Sequence, residues 1–349
     1  MVHSPSPPLA RQKKKEPKRA YIGIDIGGTK SLYALFDSRF EVLAEEKLRT
    51  HPDKGGVNAF ATAMNTAVGK LMREASRRKL EVRYVGAGCA GDIDLKSGTI
   101  RHSPNLAILD GYPLHDRLEK LTGAKVFVGH DVQSALYGEY RHGAARKARH
   151  VIGVWIGTGV GGALIIDGKL QLGASGMAGD IGNYLLHSVD VSQELPRKEV
   201  LDSVASRTAL AADAAALAAK HMAPALRRVA GTDVREIKAG VLAKSIKAGD
   251  KAVEKLVRSR ARVIGAALSN LVDFINPDLV VLGGGLVEAM PGIMRREIRN
   301  AILAHAAPKT ARATRIVIAK LDGHAGTVGA ASLAVDMFSG APPIDLESL

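Results

Sequence analysis

After a polar segment of twenty residues, the chain continues in short apolar runs separated by turns. Apolar side chains dominate the runs 21–26, 31–36 and 41–48, and this pattern predicts three strands of a β-meander. The bend between the first two runs is glycine-rich, Gly27-Gly28-Thr29-Lys30. A helix is predicted over 56–77, because its apolar residues recur at steps of three and four.

A second unit of similar design lies about 130 residues farther along the chain. It consists of an apolar run at 151–156, a glycine-rich turn at 157–162 and a further run at 163–166. Because the strand–turn–strand unit occurs twice at this spacing, the sequence predicts two related halves that face one another.

Strands alternate with helices between and beyond these units. Further strands are predicted at 82–89, 125–128, 278–282 and 315–319, and further helices at 115–122, 132–145, 201–228 and 252–275. This alternation predicts an α/β architecture with largely parallel sheets. We expect a disordered basic tail at 1–20, a smaller N-terminal domain at 21–131 and a larger C-terminal domain at 132–349. The last helix is a candidate to return to the N-terminal domain.

Composition is typical of a globular protein. The 349 residues are 46% hydrophobic and 24% charged, which is enough for about two domains with a sizeable core. The single cysteine, Cys89, excludes an intrachain disulfide framework and a cysteine-based zinc site.

The longest apolar run, 151–166, is too short and too glycine-rich to span a membrane. No apolar stretch typical of a secretory signal follows the basic N-terminus, so we expect a cytoplasmic protein without a membrane partner.

The net charge of +14 is partly concentrated at the N-terminus. Residues 1–20 carry six basic side chains against one acidic side chain, and so contribute +5. Prolines are frequent there, which predicts an extended, disordered segment. Such a tail can bind a polyanion, but we favour a solvated tail, because it has no aromatic residues for stacking on nucleic acid and no adjacent recognition helix.

Two segments, 157–162 and 86–91, match the Gly-x-Gly-x-x-Gly pattern of dinucleotide sites. Neither opens a helix, so both fail as dinucleotide sites. The repeated strand–turn–strand unit is more informative, because glycines let backbone N–H groups approach phosphate oxygens closely. Together with a third glycine cluster at 283–285, the two turns favour a nucleotide clamp over plain hairpin turns.

Two carboxylates stand out against this background. Asp25 lies inside the apolar strand 21–26, where an unpaired charge would cost several kcal/mol. A Mg²⁺ ion on a nucleotide phosphate, reached through water, is one partner for it, and a lysine salt bridge is the alternative. Asp131 lies between a strand and a helix, where an N-cap worth about 1 kcal/mol and a catalytic position are both typical.

Seven segments, taken in order, resemble the ROK family (repressors, open reading frames and kinases) of the actin-like sugar-kinase superfamily. They are Asp25-Ile-Gly-Gly-Thr-Lys30, Gly88-Cys-Ala-Gly-Asp-Ile-Asp94 with Gly98-Thr-Ile100, Ser103-Pro-Asn105, Asp131 with Ala135-Leu-Tyr-Gly-Glu139, Gly157 to Gly162, Gly173-Ala-Ser-Gly-Met-Ala-Gly-Asp-Ile-Gly182 and Leu282 to Leu286. The resemblance spans roughly residues 21–335. It implies two actin-like, ribonuclease-H-like α/β domains that close over a cleft.

The resemblance also implies a glucokinase-like activity, the ATP-dependent phosphorylation of a hexose or amino-sugar. Asp131 would be the general base, and Asp25 would hold Mg²⁺ through water. The residues implied for ATP binding are Gly27, Gly28, Thr29, Lys30, Gly157, Thr158, Gly159, Gly161, Gly283, Gly284 and Gly285. A homodimer is expected from the family alone.

The residues implied for the sugar depart from the family pattern. They are Asn105, His130, Asp131, Asp180, Asn183 and Asp202. The family usually has Asn at position 130, Glu at 180 and 202, and His at 183. We therefore expect an altered acceptor pocket and do not predict glucose as its substrate. The cysteine-rich zinc motif expected between about 187 and 201 is absent, which leaves His187 as a lone candidate ligand and predicts no zinc.

Two alternatives stay open beside the kinase. Altered sugar-binding positions suit a catalytically weak sugar sensor or pseudokinase, and the basic charge suits polyphosphate as the donor. The repressor branch of the family fits poorly, because twenty N-terminal residues rich in proline and lysine do not form a DNA-binding helix-turn-helix module.

Overall fold

A computed structural model describes residues 18–50, 55–186, 199–340 and 343–344. The predicted tail at 1–20 falls outside these ranges except for its last three residues, which belong to the first strand rather than to a disordered segment. In the described part of the chain, no helix is both long and apolar enough to cross a membrane.

Two five-stranded sheets and one small hairpin contain the strands. In chain order the strands are β1 (Lys18–Ile26), β2 (Lys30–Asp37), β3 (Val42–Arg49), β4 (Leu80–Cys89), β5 (Asp92–Asp94), β6 (Thr99–His102), β7 (Lys125–His130), β8 (Val151–Ile156), β9 (Val160–Ile166), β10 (Lys169–Gln171), β11 (Leu279–Gly283) and β12 (Arg315–Ile318).

The α-helices of the described residues alternate with these strands. They are α1 (Gly56–Arg77), α2 (Leu114–Thr122), α3 (Asp131–Arg141), α4 (Leu201–Ala205), α5 (Arg207–Ala219), α6 (Pro224–Ala230), α7 (Ala239–Lys247), α8 (Lys251–Ile275), α9 (Gly285–Ala289), α10 (Pro291–His305), α11 (Pro308–Ala313) and α12 (Ala325–Phe338).

The two large sheets share one topology. The first has the order β3-β2-β1-β4-β7 and the second the order β10-β9-β8-β11-β12. In each, a meander of three antiparallel strands is followed by two parallel neighbours. The predicted pair of related halves is therefore confirmed, whereas the expectation of largely parallel sheets is wrong, because the meanders make both sheets mixed.

The helices form three layers around the two sheets. Helices α1 and α2 cover the outer face of the first sheet, and α5, α7, α8 and α10 cover the outer face of the second. Helices α3 and α12 lie between the sheets, in a core that takes Tyr21 and Phe36 from the first sheet and Ile165 and Val281 from the second. The arrangement is the actin-like α/β fold that the family resemblance implies.

Close backbone contacts fix the last helix against the N-terminal sheet. A Cβ atom at Gly86 of β4 would lie 1.8 Å from the carbonyl oxygen of Ala330, and one at Gly23 of β1 would lie 2.0 Å from that of Thr327. Only glycine permits this approach. Helix α12 therefore packs on the first sheet, although it follows the second in sequence; the domain boundary at residue 131 stays a prediction.

A buried carboxylate joins the two chain segments that pass between the halves. Glu139 of α3 is fully buried, and its Oε2 accepts the N–H of Ala144 at 2.6 Å. Its Oε1 accepts the N–H groups of Lys320 and Leu321 at 2.8 and 2.7 Å. Three backbone donors stabilise this carboxylate, and no basic side chain of the described ranges forms an ion pair with it. The contact fixes the loop before α12 relative to α3.

Several predicted boundaries shift. The helix expected over 132–145 ends at Arg141. The helix expected over 201–228 is divided into α4, α5 and α6, because Ser206 caps α5 and Pro224 starts α6. The turn expected at 157–162 is shorter, since β9 already begins at Val160.

Candidate active site

A cleft of about 560 Å³ opens where the parallel strands of both sheets end. Most of the predicted site residues line it, namely Asp25, Gly27, Gly28, Asn105, His130, Asp131, Gly157, Thr158, Gly159, Gly161, Asp180, Asn183, Asp202 and Gly284. Ligand sites are typical of this edge of α/β sheets. Four predicted residues do not line the cleft, Thr29, Lys30, Gly283 and Gly285.

The first glycine turn presents its backbone to the cleft. The N–H of Gly27 donates to the carbonyl of Lys30 at 3.1 Å, which closes the turn. A Cβ at Gly28 would lie 3.0 Å from the Cβ of Asn105, so the two segments are in close contact. The side chains of Thr29 and Lys30 are exposed to solvent outside the cleft.

The second glycine turn is held by side chains from behind. Its Gly157 N–H donates to the carbonyl of Gly159 at 2.8 Å, and Thr158 lines the cleft. Asp202 Oδ1 accepts the N–H of Val160 at 2.6 Å. Asp202, which is predicted to bind the sugar, therefore uses one carboxylate oxygen to bind the backbone of this turn.

The start of α5 also contacts the second turn. The N–H of Arg207 donates to the carbonyl of Gly157 at 3.0 Å, and the hydroxyl of Thr208 donates to the carbonyl of Thr158 at 2.9 Å. Neither residue carries a recognisable site signal in the sequence, where both lie inside one helix predicted over 201–228.

The third glycine cluster contributes one residue to the cleft. Gly283 ends β11 against the ring of Trp155, where a Cβ would lie 2.7 Å from the indole. Gly284 lines the cleft with φ of +88°, and a Cβ there would meet the backbone of Ile156 at 2.7 Å. Both the left-handed conformation and the contact require glycine. Gly285 begins α9 outside the cleft.

Asp131 is the first residue of α3, one position after the N-cap residue His130. Its Oδ1 accepts the N–H of Val132 at 2.8 Å and lies 3.2 Å from Nδ1 of His130. The side chain remains 23% exposed, and that exposed part faces the cleft. The carboxylate therefore binds its own helix terminus and is also accessible to a ligand.

Asp25 faces the same space from β1. Burial, together with the negative charge of Asp131, raises the pKa of Asp25 to about 7. Gly326 of α12 lies against this carboxylate, since a Cβ there would be 2.6 Å from it. Among the described residues no lysine or arginine pairs with Asp25, so the salt-bridge alternative is wrong for this part of the chain.

Polar groups expected to bind a sugar line another wall of the cleft. Asp180 precedes the short 3-10 helix Ile181–Asn183, and Asn183 is its last residue. The Nδ2 of Asn183 donates to Asp180 Oδ2 at 2.6 Å. Asn105 and His130 line the cleft with them. The fold thus brings all six predicted sugar-binding residues to one cavity.

Several lining residues escaped the sequence analysis, among them Trp155, Met177, Glu288, Asp322 and Gly326. Trp155 is the single tryptophan of the chain, and it is hidden in an apolar strand pattern. Glu288 and Asp322 belong to segments without a recognisable motif, and only the fold places them at the cleft.

The predicted absence of zinc concerns a segment of which most residues lie outside the described ranges. His187 lies outside the described residues. Across the ranges given above, no group of three or more His, Cys, Asp or Glu side chains could hold a metal ion.

Comparison with known proteins identifies the family of this chain. The chain is 30% identical to the glucokinase of Halalkalibacterium halodurans over 317 residues, which cover 89% of this chain and 93% of that protein. It is 29% identical to the N-acetylmannosamine kinase of Citrobacter koseri, over 76% of this chain and 84% of that protein. Its fold matches the ROK family glucokinase of Streptomyces griseus, solved with glucose and AMPPNP, with a TM-score of 0.74 and 30% identity over 90% of this chain and 99% of that chain. A sequence model of the ROK family matches residues 21–337, so the chain belongs to the ROK family, as its motifs predict.

Proposed function

We propose that this protein is an ATP-dependent sugar kinase that transfers the γ-phosphate to a hydroxyl of a hexose or amino-sugar. One observation carries the proposal: Asp131 lines a single cleft together with both glycine turns and the polar pair Asp180 and Asn183. The similar glucokinases and N-acetylmannosamine kinase support the same activity.

In this proposal Asp131 is the general base. Its carboxylate removes the proton of the attacking sugar hydroxyl, a contribution worth about 10²–10⁴-fold in rate. The Val132 N–H holds one carboxylate oxygen at 2.8 Å and so fixes its direction. The two glycine turns hold the phosphate chain in line with the hydroxyl, since phosphoryl transfer depends mainly on positioning and charge stabilisation. Closure of the two halves excludes water as a competing acceptor.

The residues of the cleft fit a Mg²⁺ ion. Asp25 and Asp131 are two carboxylates near one another, and no basic side chain of the described residues pairs with Asp25. Burial and the charge of Asp131 raise the pKa of Asp25 to about 7. A hard cation held through water stabilises such an arrangement. Asp25 would hold the ion, which supplies positive charge to the phosphate oxygens when bound.

The acceptor is a sugar whose hydroxyls match an altered set of polar groups. Asp202 accepts a hydrogen bond from Val160, and Asn183 donates one to Asp180. Fewer hydrogen-bonding groups are therefore left for the sugar hydroxyls than the residue types alone suggest. A site built to hydrogen-bond particular hydroxyls rejects sugars that leave its groups unpaired. We therefore place glucose, mannose and N-acetylmannosamine on equal terms as candidates.

A coupled assay of ADP release over a panel of these sugars tests the proposal. We expect one sugar to stimulate ADP release strongly, with ATP preferred over polyphosphate as the donor. A sugar that shifts the melting temperature without stimulating ADP release would instead favour the sugar-sensing pseudokinase. Turnover only with polyphosphate would favour the polyphosphate-dependent glucokinase.

We also propose a cytoplasmic homodimer without zinc. The family resemblance supports the dimer, and the single cysteine together with the missing zinc motif supports the absence of the metal. Light scattering after gel filtration tests the first statement, and metal analysis of the purified protein tests the second.

A further inference from the structure

Arg207, the first residue of α5, is a half-buried cation beside the cleft. In the described part of the chain no carboxylate lies within ion-pair distance of it, and burial lowers the pKa of its guanidinium group. Arg260 of α8 differs in this respect, because Asp213 pairs with it at 2.7 Å. An unpaired, partly desolvated charge costs free energy unless a ligand or partner compensates it.

The side chain of Arg207 reaches the second glycine turn. Its Nη2 lies 3.4 Å from the Oγ1 of Thr158, a residue that lines the cleft. Arginine has only donors, so the Thr158 hydroxyl accepts this hydrogen bond. The hydroxyl proton of Thr158 is then left for another acceptor, and the side available to a ligand is the cleft.

We propose that Arg207 is a positioning residue for the phosphate chain of the donor, acting through the Thr158 hydroxyl. The guanidinium group orients Thr158 as a hydrogen-bond donor and adds positive charge behind the turn, which together favour a polyanion such as the triphosphate of ATP. This inference rests on the proposed function and extends it by naming the residue that tunes donor affinity.

The local structure makes this arrangement rigid. The backbone N–H of Arg207 and the hydroxyl of Thr208 both donate to carbonyls of the turn, at 3.0 and 2.9 Å. These bonds use backbone atoms of Arg207 and the neighbouring side chain, so they do not depend on the guanidinium group. Its replacement therefore removes the charge and leaves the other contacts of the turn in place.

Steady-state kinetics of Arg207→Gln, Arg207→Lys, Thr158→Val and the double variant Arg207→Gln with Thr158→Val test the inference. We expect Arg207→Gln to raise the KM for ATP about tenfold while the KM for the sugar and kcat stay nearly unchanged. Arg207→Lys recovers part of the loss, because it keeps the charge. The double variant is no weaker than the worse single variant, since both changes remove one interaction. Arg299→Gln, which removes an exposed charge on α10, is the matched control and behaves as the unmodified protein.

Two outcomes would overturn the inference: an Arg207→Gln variant that matches Arg299→Gln, or a parallel loss of ATP affinity, sugar affinity and melting temperature. Calorimetric binding of ATP and of inorganic tripolyphosphate keeps this test separate from the proposed function. If the unmodified protein phosphorylates no sugar, the kinase proposal fails, and the binding difference between Arg207→Gln and Arg299→Gln still decides the role of Arg207.

Discussion

The two glycine turns occupy the same place in two sheets of the same topology, yet they present different chemistry to the cleft. In the first, Gly27 and Gly28 line the cavity while Thr29 and Lys30 lie in solvent. In the second, Thr158 lines the cavity. The resemblance implies ATP binding for both Thr29 and Thr158, but of the two only Thr158 lines the cavity.

The difference arises from what packs behind each turn. Thr50 supports the first turn, with its N–H donating to the carbonyl of Thr29 at 3.1 Å and its hydroxyl to that of Gly27 at 2.7 Å. The second turn is contacted by α4 and α5, which bring a carboxylate and a guanidinium group, Asp202 and Arg207. A repeated topology therefore duplicates the backbone of a phosphate site but not its side chains.

The largest expected effect comes from replacing Asp131, whose carboxylate lines the cleft together with both glycine turns. Asp131→Asn should lower kcat by about 10²–10⁴-fold, because an amide cannot accept the hydroxyl proton as a base. ATP and sugar affinities, measured by calorimetry, should change little, since both turns remain intact. A variant with undiminished kcat would remove Asp131 from the role of base.

Asp202→Ala should weaken the second turn alone. The Val160 N–H loses its charged acceptor, and we expect the KM for ATP to rise about 10- to 100-fold. Asp180→Ala is the comparison, because its carboxylate contacts Asn183 and not the turn. It should raise the KM for the sugar instead. Equal effects of the two variants on both substrates would contradict the separation of a phosphate wall from a sugar wall.

A matched pair of threonine variants tests the asymmetry of the turns directly. Thr158→Val should raise the KM for ATP about tenfold through the loss of a hydrogen bond to a charged group. Thr29→Val should change it less than about twofold, as exposed substitutions outside a site usually do. Similar losses for both variants would mean that the turns act alike once ATP is bound.

The smallest expected effect is on the pH dependence of stability, and it involves a histidine in the layer between the sheets, away from both turns. His142 follows α3, with its ring 4.4 Å from that of Phe40 and Nε2 2.9 Å from the hydroxyl of Ser332. Burial, with help from Arg141 and Arg146, lowers the pKa of His142 to about 4 from 6.5. The unfolded state therefore binds more protons between these values, and stability falls as the pH drops through this range.

His142→Gln should accordingly flatten the dependence of melting temperature on pH between about 7 and 4, without altering the KM for ATP. Thermal unfolding at a series of pH values measures this slope. An unchanged slope would show that other groups control acid stability.

The architecture was largely predictable because its signals are local. Alternating apolar runs and glycine turns define each meander within about 30 residues, a range over which periodicity is informative. The contacts of α12 depend instead on glycines far apart in sequence, such as Gly86 and Gly329, whose missing side chains matter only once the helix meets its neighbours. The prediction of largely parallel sheets was wrong because hydrophobic periodicity identifies strands but does not show which strands pair or in which direction.

The site was predictable where a residue type is unusual for its place. Asp25 stands out in an apolar strand, and Asp131 at the end of another. Arg207 gives no such signal, because an arginine within an alanine-rich segment is typical of a solvated helix face. Its contact with Thr158, a residue 49 positions earlier, exists only in the fold.

Phosphorus NMR of a reaction mixture with ATP and the preferred sugar measures the central event most directly. As ADP accumulates, the γ-phosphate signal should be replaced by one sugar phosphomonoester signal of equal intensity. Asp131→Asn should slow this conversion by about 10²–10⁴-fold. Accumulation of inorganic phosphate in place of the phosphomonoester, or an Asp131→Asn variant that forms it at the original rate, would contradict phosphate transfer to a sugar by this cleft.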